Sequence, residues 1–195
     1  MEEAWRRLPS APKTHPYPAS PYFLRLRNIA ALEILFATGM RVGELVGLTL
    51  ADWHTEDNVF SVRGKGSRQR LAFLPDDRSI KAVHLYLGQR LAIASGHEQL
   101  LVNAAGEGIS TQGVARIVTS TARDAGISAK VTPHVIRHTV ETLLLRFGAD
   151  IRIVQEVLGH ASIATTQRYT HVAKEHLVAV LRARHPSHHL GIFSK

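Results

Sequence analysis

Two punctuated helical segments between Thr132 and Gly159 restrict the fold more than any other stretch of the 195-residue chain. Thr132-Pro133 is a helix start: a threonine hydroxyl suits the N-cap, and proline suits the first helical position, where its missing N–H costs nothing. Ile136, Val140, Leu143, Leu144 and Phe147 then recur at threes and fours until Gly148 stops the run. Asp150 opens a second helix carrying Ile151, Val154, Val157 and Leu158 as far as Gly159. A third, short helix is expected from Ser162 to about Tyr169. A fourth, from about Ala173 to Ala183, carries Leu177, Val180 and Leu181 on one side.

The upstream half follows the same style. Glu2 to Leu8 suits a short helix, and Pro9, Pro12, Pro16, Pro18 and Pro21 then predict a loop. From Tyr22, the residues Leu26, Ile29, Leu32 and Phe36 mark a helix that Gly39 ends, and Val42 to Leu48 marks a shorter one. Asn58 to Pro75 predicts a hairpin, with Val59, Phe60 and Val62 facing Leu71, Phe73 and Leu74 across Gly64-Lys65-Gly66-Ser67. Asp76 or Asp77 caps a helix with Ile80, Val83, Leu87 and Leu91 on its stripe. Ser110 caps another with Val114, Ile117, Val118 and Ala122 inward and Gly126 closing it. No internal repeat is present. The expected class is mainly α with one small antiparallel β-sheet, an α+β protein.

Charge narrows the partner. The 24 Lys+Arg against 16 Asp+Glu give a net charge of +8, and twelve histidines add to it below neutral pH. Such a balance favours a polyanion, nucleic acid or an acidic surface, although a basic protein without such a partner has the same composition. With no cysteine, disulfides and thiolate metal sites are excluded. Neither an apolar run near 18 residues nor a signal-peptide pattern is visible, so the expected setting is soluble and cytoplasmic, with no membrane contact.

Candidate chemistry concentrates where the helices are best marked. His134, Arg137 and His138 lie three and four apart, so they share a helical face off the Ile136/Val140 stripe, suited to an anion. A solvated polar face has the same pattern. His134-x-x-x-His138 also has zinc-ligand spacing, but Val135 stands where a zinc protease needs glutamate and no third ligand suggests itself, so no metal is expected. Arg41 follows Gly39-Met40 and can pair with Glu44. Lys65 at the hairpin tip, flanked by Arg63, Arg68 and Arg70, makes a basic finger shaped to enter a groove. His160 follows a glycine, and Tyr169 lies nine residues beyond it. Cations converging near a hydroxyl nucleophile suit attack on a phosphodiester.

In order and spacing these motifs resemble those of the tyrosine recombinases, the phage-integrase and Xer-like family. ATGMRVGELVGLTLADW resembles the first arginine box, RGKGSRQR the lysine hairpin, TPHVIRHT the second box and LGHASIATTQRYTHV the last. The resemblance implies that fold and a catalytic set of Arg41, Lys65, His134, Arg137, His160 and Tyr169, supported by Glu44 and His138. Arg63, Arg68 and Arg70 are expected to contact DNA. It also implies site-specific, metal-free strand cleavage and rejoining through a 3′-phosphotyrosyl link, with no cofactor. Ile136 replaces the usual leucine, and Val140-Glu141 stands where an aromatic-alanine pair is common. The expected layout is a catalytic domain over residues 1–185 and a tail over 186–195, without the core-binding domain that family members carry at their amino terminus. The expected partner is double-stranded DNA. The expected assembly is a monomer when free and a homo-tetramer on paired sites through the C-terminal helix, associated with the nucleoid. A type IB topoisomerase activity and a DNA-binding regulator without strand transfer are the alternatives; filling of all the motif positions argues against the regulator.

Overall fold

The computed structural model describes residues 20–64, 69–93, 97–159 and 171–186. The expected early helix, the proline loop through Pro18, the hairpin tip with Lys65 and Arg68, and the His160–Tyr169 stretch lie outside the described residues, whereas Pro21, expected in that loop, instead opens the first helix, where its missing N–H costs nothing. Seven helices are described: α1 (Pro21–Thr38), α2 (Val42–Val46), α3 (Asp77–Ile93), α4 (Thr111–Asp124), α5 (Pro133–Arg146), α6 (Ile151–Leu158) and α7 (His171–Arg184). Between α2 and α3 comes an antiparallel sheet in the order β1 (Trp53–His54), β2 (Val59–Arg63), β3 (Gln69–Phe73). Mostly helical with one small sheet, the fold is of the expected class. The two-residue strand β1, too short to show an alternation, had no counterpart in the sequence reading.

The helix boundaries follow from caps. Ser110 accepts a hydrogen bond from the Gly113 N–H, Thr132 from Val135 and Asp150 from Arg152, each satisfying a donor that a helix start leaves orphaned. For α3 the capping carboxylate is Asp76, which accepts from the Ser79 N–H. At the far end of α1, Gly39 turns the chain at φ +58°. A side chain there would run into Leu158, with Val140 only 3.3 Å away. Glycine is needed both for the left-handed turn and for the close passage of α1, α5 and α6.

The sheet divides the interior into two apolar clusters. Phe60, Val62 and Ala72 point into the larger one with α1, α3, α4 and the 100–102 segment, whereas Val59 and Phe73 join Val140, Leu144, Val154, Leu158, Leu177 and Leu181 in the other. Alternation along each strand sends successive residues to opposite faces, and both faces are covered. The register pairs Val59 with Phe73, Phe60 with Ala72, Ser61 with Leu71 and Val62 with Arg70.

Three expected core positions are not core. Ile29, Leu91 and Ile151 are exposed. Ile151 is the first residue of α6 and Leu91 belongs to the last turn of α3, where a periodic pattern outruns the element it packs against. On α1 the inward face is Phe23, Leu26, Ala30, Ala31, Ile34 and Leu35, and the small alanines, weak markers in a sequence, displace Ile29 from it.

Candidate active site

Four segments converge at the C-terminal turn of α6. Arg137 leaves α5 one turn after its Thr132 cap and is buried, with Nη1 donating to the Gly39 carbonyl and Nη2 to the Leu158 carbonyl, each at 2.8 Å. Both acceptors are last-turn carbonyls, on α1 and α6, where a helix end carries partial negative charge and lacks intrahelical donors. Arg41, the residue before α2, sends its guanidinium towards the next carbonyl, that of Gly159, at 3.4 and 3.5 Å. The Leu158–Gly159 turn is therefore held by two arginines from two other parts of the chain. Gly159 itself has φ +67° and immediately precedes His160.

Glu44 orients Arg41. Its carboxylate accepts from Arg41 Nη1 at 3.0 Å and from the Arg41 backbone N–H at 2.8 Å. Arg41 keeps half of its side chain exposed, while that of Glu44 is nearly enclosed. The Arg137 pKa is pushed down to about 10, first by burial and then by the neighbouring Arg41, with Glu44 opposing; Arg70 adds to the lowering and Glu141 to the opposition. Arg137 stays charged at neutral pH. Three guanidiniums face two carboxylates, which leaves an excess of positive charge half enclosed by protein, a setting that suits an anion.

The histidines of α5 take different places. His134 and His138 are both exposed, and His138 Nδ1 lies 3.8 Å from Glu141. The expected single face is therefore split: Arg137 turns inward and the two histidines outward, since the carbonyls that Arg137 binds lie beneath the helix. Arg63 extends into solvent from the end of β2, with only a 3.8 Å approach to Asp52. Arg70, expected beside it as a groove contact, instead turns inward and donates to Glu44 at 2.8 Å. It stands opposite the buried Val62, so strand alternation directs it to the inner face. The contributions of Arg70, Gly39 and the Leu158 carbonyl escaped the sequence reading, although counting by twos from Ala72 marks Arg70 as inward. Among the described residues, no group of three or more His, Cys, Asp or Glu could hold a metal ion. Nor is any described helix long and apolar enough to cross a membrane.

Residues 6–176 match the model of the phage integrase family. The chain belongs to that family. Tyrosine recombinase XerC of Listeria monocytogenes serovar 1/2a is 41% identical over 171 residues, which cover 84% of this chain and 55% of that protein. Among solved structures, the XerA recombinase crystal structure superimposes with a TM-score of 0.64 at 34% identity, covering 89% of this chain and 68% of that one. The XerH site-specific recombinase bound to palindromic difH substrate, a post-cleavage complex, gives a TM-score of 0.66 at 26% identity over 91% of this chain and 48% of that one. The chain thus has the fold of tyrosine recombinase catalytic domains, and spans little more than half the length of the XerC protein it matches.

Proposed function

We propose that this chain is a site-specific DNA recombinase that cleaves and rejoins strands through Tyr169. The observation that carries the proposal is the meeting of Arg41 and Arg137 on the Leu158–Gly159 turn, with surplus positive charge, one residue before His160. The relatives named as recombinases, and the XerH site-specific recombinase in its post-cleavage complex with difH substrate, support the same reading.

The Tyr169 oxygen attacks the scissile phosphorus, and the bond from phosphorus to the 5′-oxygen breaks, leaving a 3′-phosphotyrosyl link. Arg41, Arg137 and His160 stabilise the non-bridging oxygens as charge builds on them. The planar fork of arginine meets two such oxygens at once, which a lysine cannot do. Lys65 gives a proton to the departing 5′-oxygen, and His134, exposed on the first turn of α5, assists proton transfer and holds the phosphate. A 5′-hydroxyl of the partner strand reverses the step, so the phosphodiester energy is conserved and no nucleotide cofactor is consumed. Arg63 and Arg68 grip the duplex, and His138 supports the face beside His134. The working unit is a tetramer on paired sites, acting on DNA at the nucleoid in the cytoplasm, and residues 1–185 form the catalytic domain with 186–195 as a tail.

The test is a set of nicked duplexes tiled along the DNA flanking the chain's own gene, in which cleavage releases a short oligonucleotide and traps the protein. Wild type yields a protease-sensitive protein–DNA adduct on one duplex. Tyr169→Phe binds that duplex equally well and yields none. An adduct formed by Tyr169→Phe at the same phosphate would refute the assignment of the nucleophile.

A further inference from the structure

The Glu44 carboxylate is shared. Its Oε1 accepts from Arg41 Nη1, and its Oε2 accepts both from the Arg41 backbone N–H and from Arg70 Nη2. The Arg70 and Glu44 side chains are each only 10% exposed, so their ion pair is well shielded from solvent. On its other side Arg70 fills the space under the α6 turn: a Cβ added at Gly159 would come within 2.6 Å of Arg70 Nε and 2.9 Å of its Cδ. One side chain on β3 therefore touches both the carboxylate that orients Arg41 and the glycine before His160.

We propose that Arg70 is a positioning residue for the strand-transfer site, acting through Glu44 on Arg41, and not a contact to the DNA groove. The proposal rests on the recombinase reading above. Two physical requirements support it. Without Arg70 the Glu44 carboxylate would be tied only to Arg41 itself, at Oε1 by the side chain and at Oε2 by the backbone N–H, and Arg41 is half exposed with several free torsions. The charged bond from Arg70 to Oε2 ties the carboxylate to a separate element, the strand β3, and hence restrains the direction in which the Arg41 fork points. Charge is the second requirement. Glu44 paired with Arg41 alone would be neutral and attract a phosphate weakly. Shared between Arg41 and Arg70, it leaves one positive charge on the trio.

The test measures covalent adduct formation in a single turnover at saturating nicked duplex, alongside the Kd for DNA and its salt dependence. The proteins are wild type, Arg70→Ala, Arg70→Met, Glu44→Gln and the Arg70→Ala/Glu44→Gln double variant. Arg70→Met keeps an apolar stem under Gly159 while removing the charge, so it serves if the alanine variant does not fold. Misplacing Arg41 by about an ångström lowers the limiting rate about 10²-fold for both Arg70 variants. The salt slope of binding stays at the wild-type value. The double variant is no slower than Glu44→Gln, because both changes break one chain of contacts. A limiting rate equal to wild type, with weaker binding and a slope shallower by about 0.9, would instead make Arg70 a phosphate contact and overturn the proposal. Rate losses that multiply in the double variant overturn it as well. Wild type that forms no adduct on any duplex overturns the recombinase reading itself, a result distinct from failure of Arg70 alone.

Discussion

Replacing Arg137 by lysine keeps the positive charge and removes only the fork. Arg137 spans the Gly39 and Leu158 carbonyls with two 2.8 Å hydrogen bonds from two different nitrogens. A single ammonium cannot reproduce that planar pair, so one buried carbonyl loses its donor. A hydrogen bond to a charged group is worth about 1.5–3 kcal/mol, and the orphaned carbonyl adds to the loss, so Arg137→Lys destabilises the fold by about 2–3 kcal/mol. For a chain of 195 residues this lowers the melting temperature by about 4–12 °C. Thermal melting followed by circular dichroism measures the shift. In the same protein, well below its melting point, adduct formation falls about 10²–10³-fold, the usual cost of one oxyanion donor. A lysine variant that melts together with wild type would refute the argument that the guanidinium fastens α1 to α6. One that loses the stability but still cleaves at full rate would confine Arg137 to that fastening role.

Gly39→Ala forces a side chain into a left-handed turn, at about 1–2 kcal/mol, and crowds Leu158 and Val140 at about 1–3 kcal/mol more, so its urea midpoint falls and wild-type stability would contradict the close passage described. Binding of random duplex, read by fluorescence anisotropy, weakens with a log–log salt slope of about −0.9 per phosphate neutralised, and a flat salt response would show that the net charge of +8 is not what holds DNA.

Local chemistry was legible in the sequence and distant geometry was not. The Ser110 and Thr132 caps, the Gly39 and Gly159 turns and the β2–β3 hairpin are written in neighbouring residues, and the structure has each of them. Arg137 could be picked out as a site candidate, but its burial could not. Charged side chains are seldom buried without partners, and its partners are backbone carbonyls 98 and 21 positions away in the chain. Arg70 was misdirected by composition. Set among other arginines near a hairpin tip it resembled a solvent-facing finger, while its inward direction follows from the register that sets it opposite the buried Val62. Ile29 failed for the opposite reason, because a bulky residue outweighed the two alanines that make the real contact.

The partition of the interior by the sheet has a consequence for how the site comes apart. Arg41 precedes α2, whose Leu45 belongs to the larger cluster, whereas Arg137 sits on α5 and Gly159 ends α6, both anchored in the smaller one. Arg70 lies on the strand pair between them. A partial opening that separates the two clusters would leave most helices intact, yet it would pull the Arg41 guanidinium off the α6 turn and Arg137 off the Gly39 carbonyl. Loss of competence can therefore precede loss of helix, and the rate of strand cleavage reports on the least stable seam of the molecule instead of on its global unfolding.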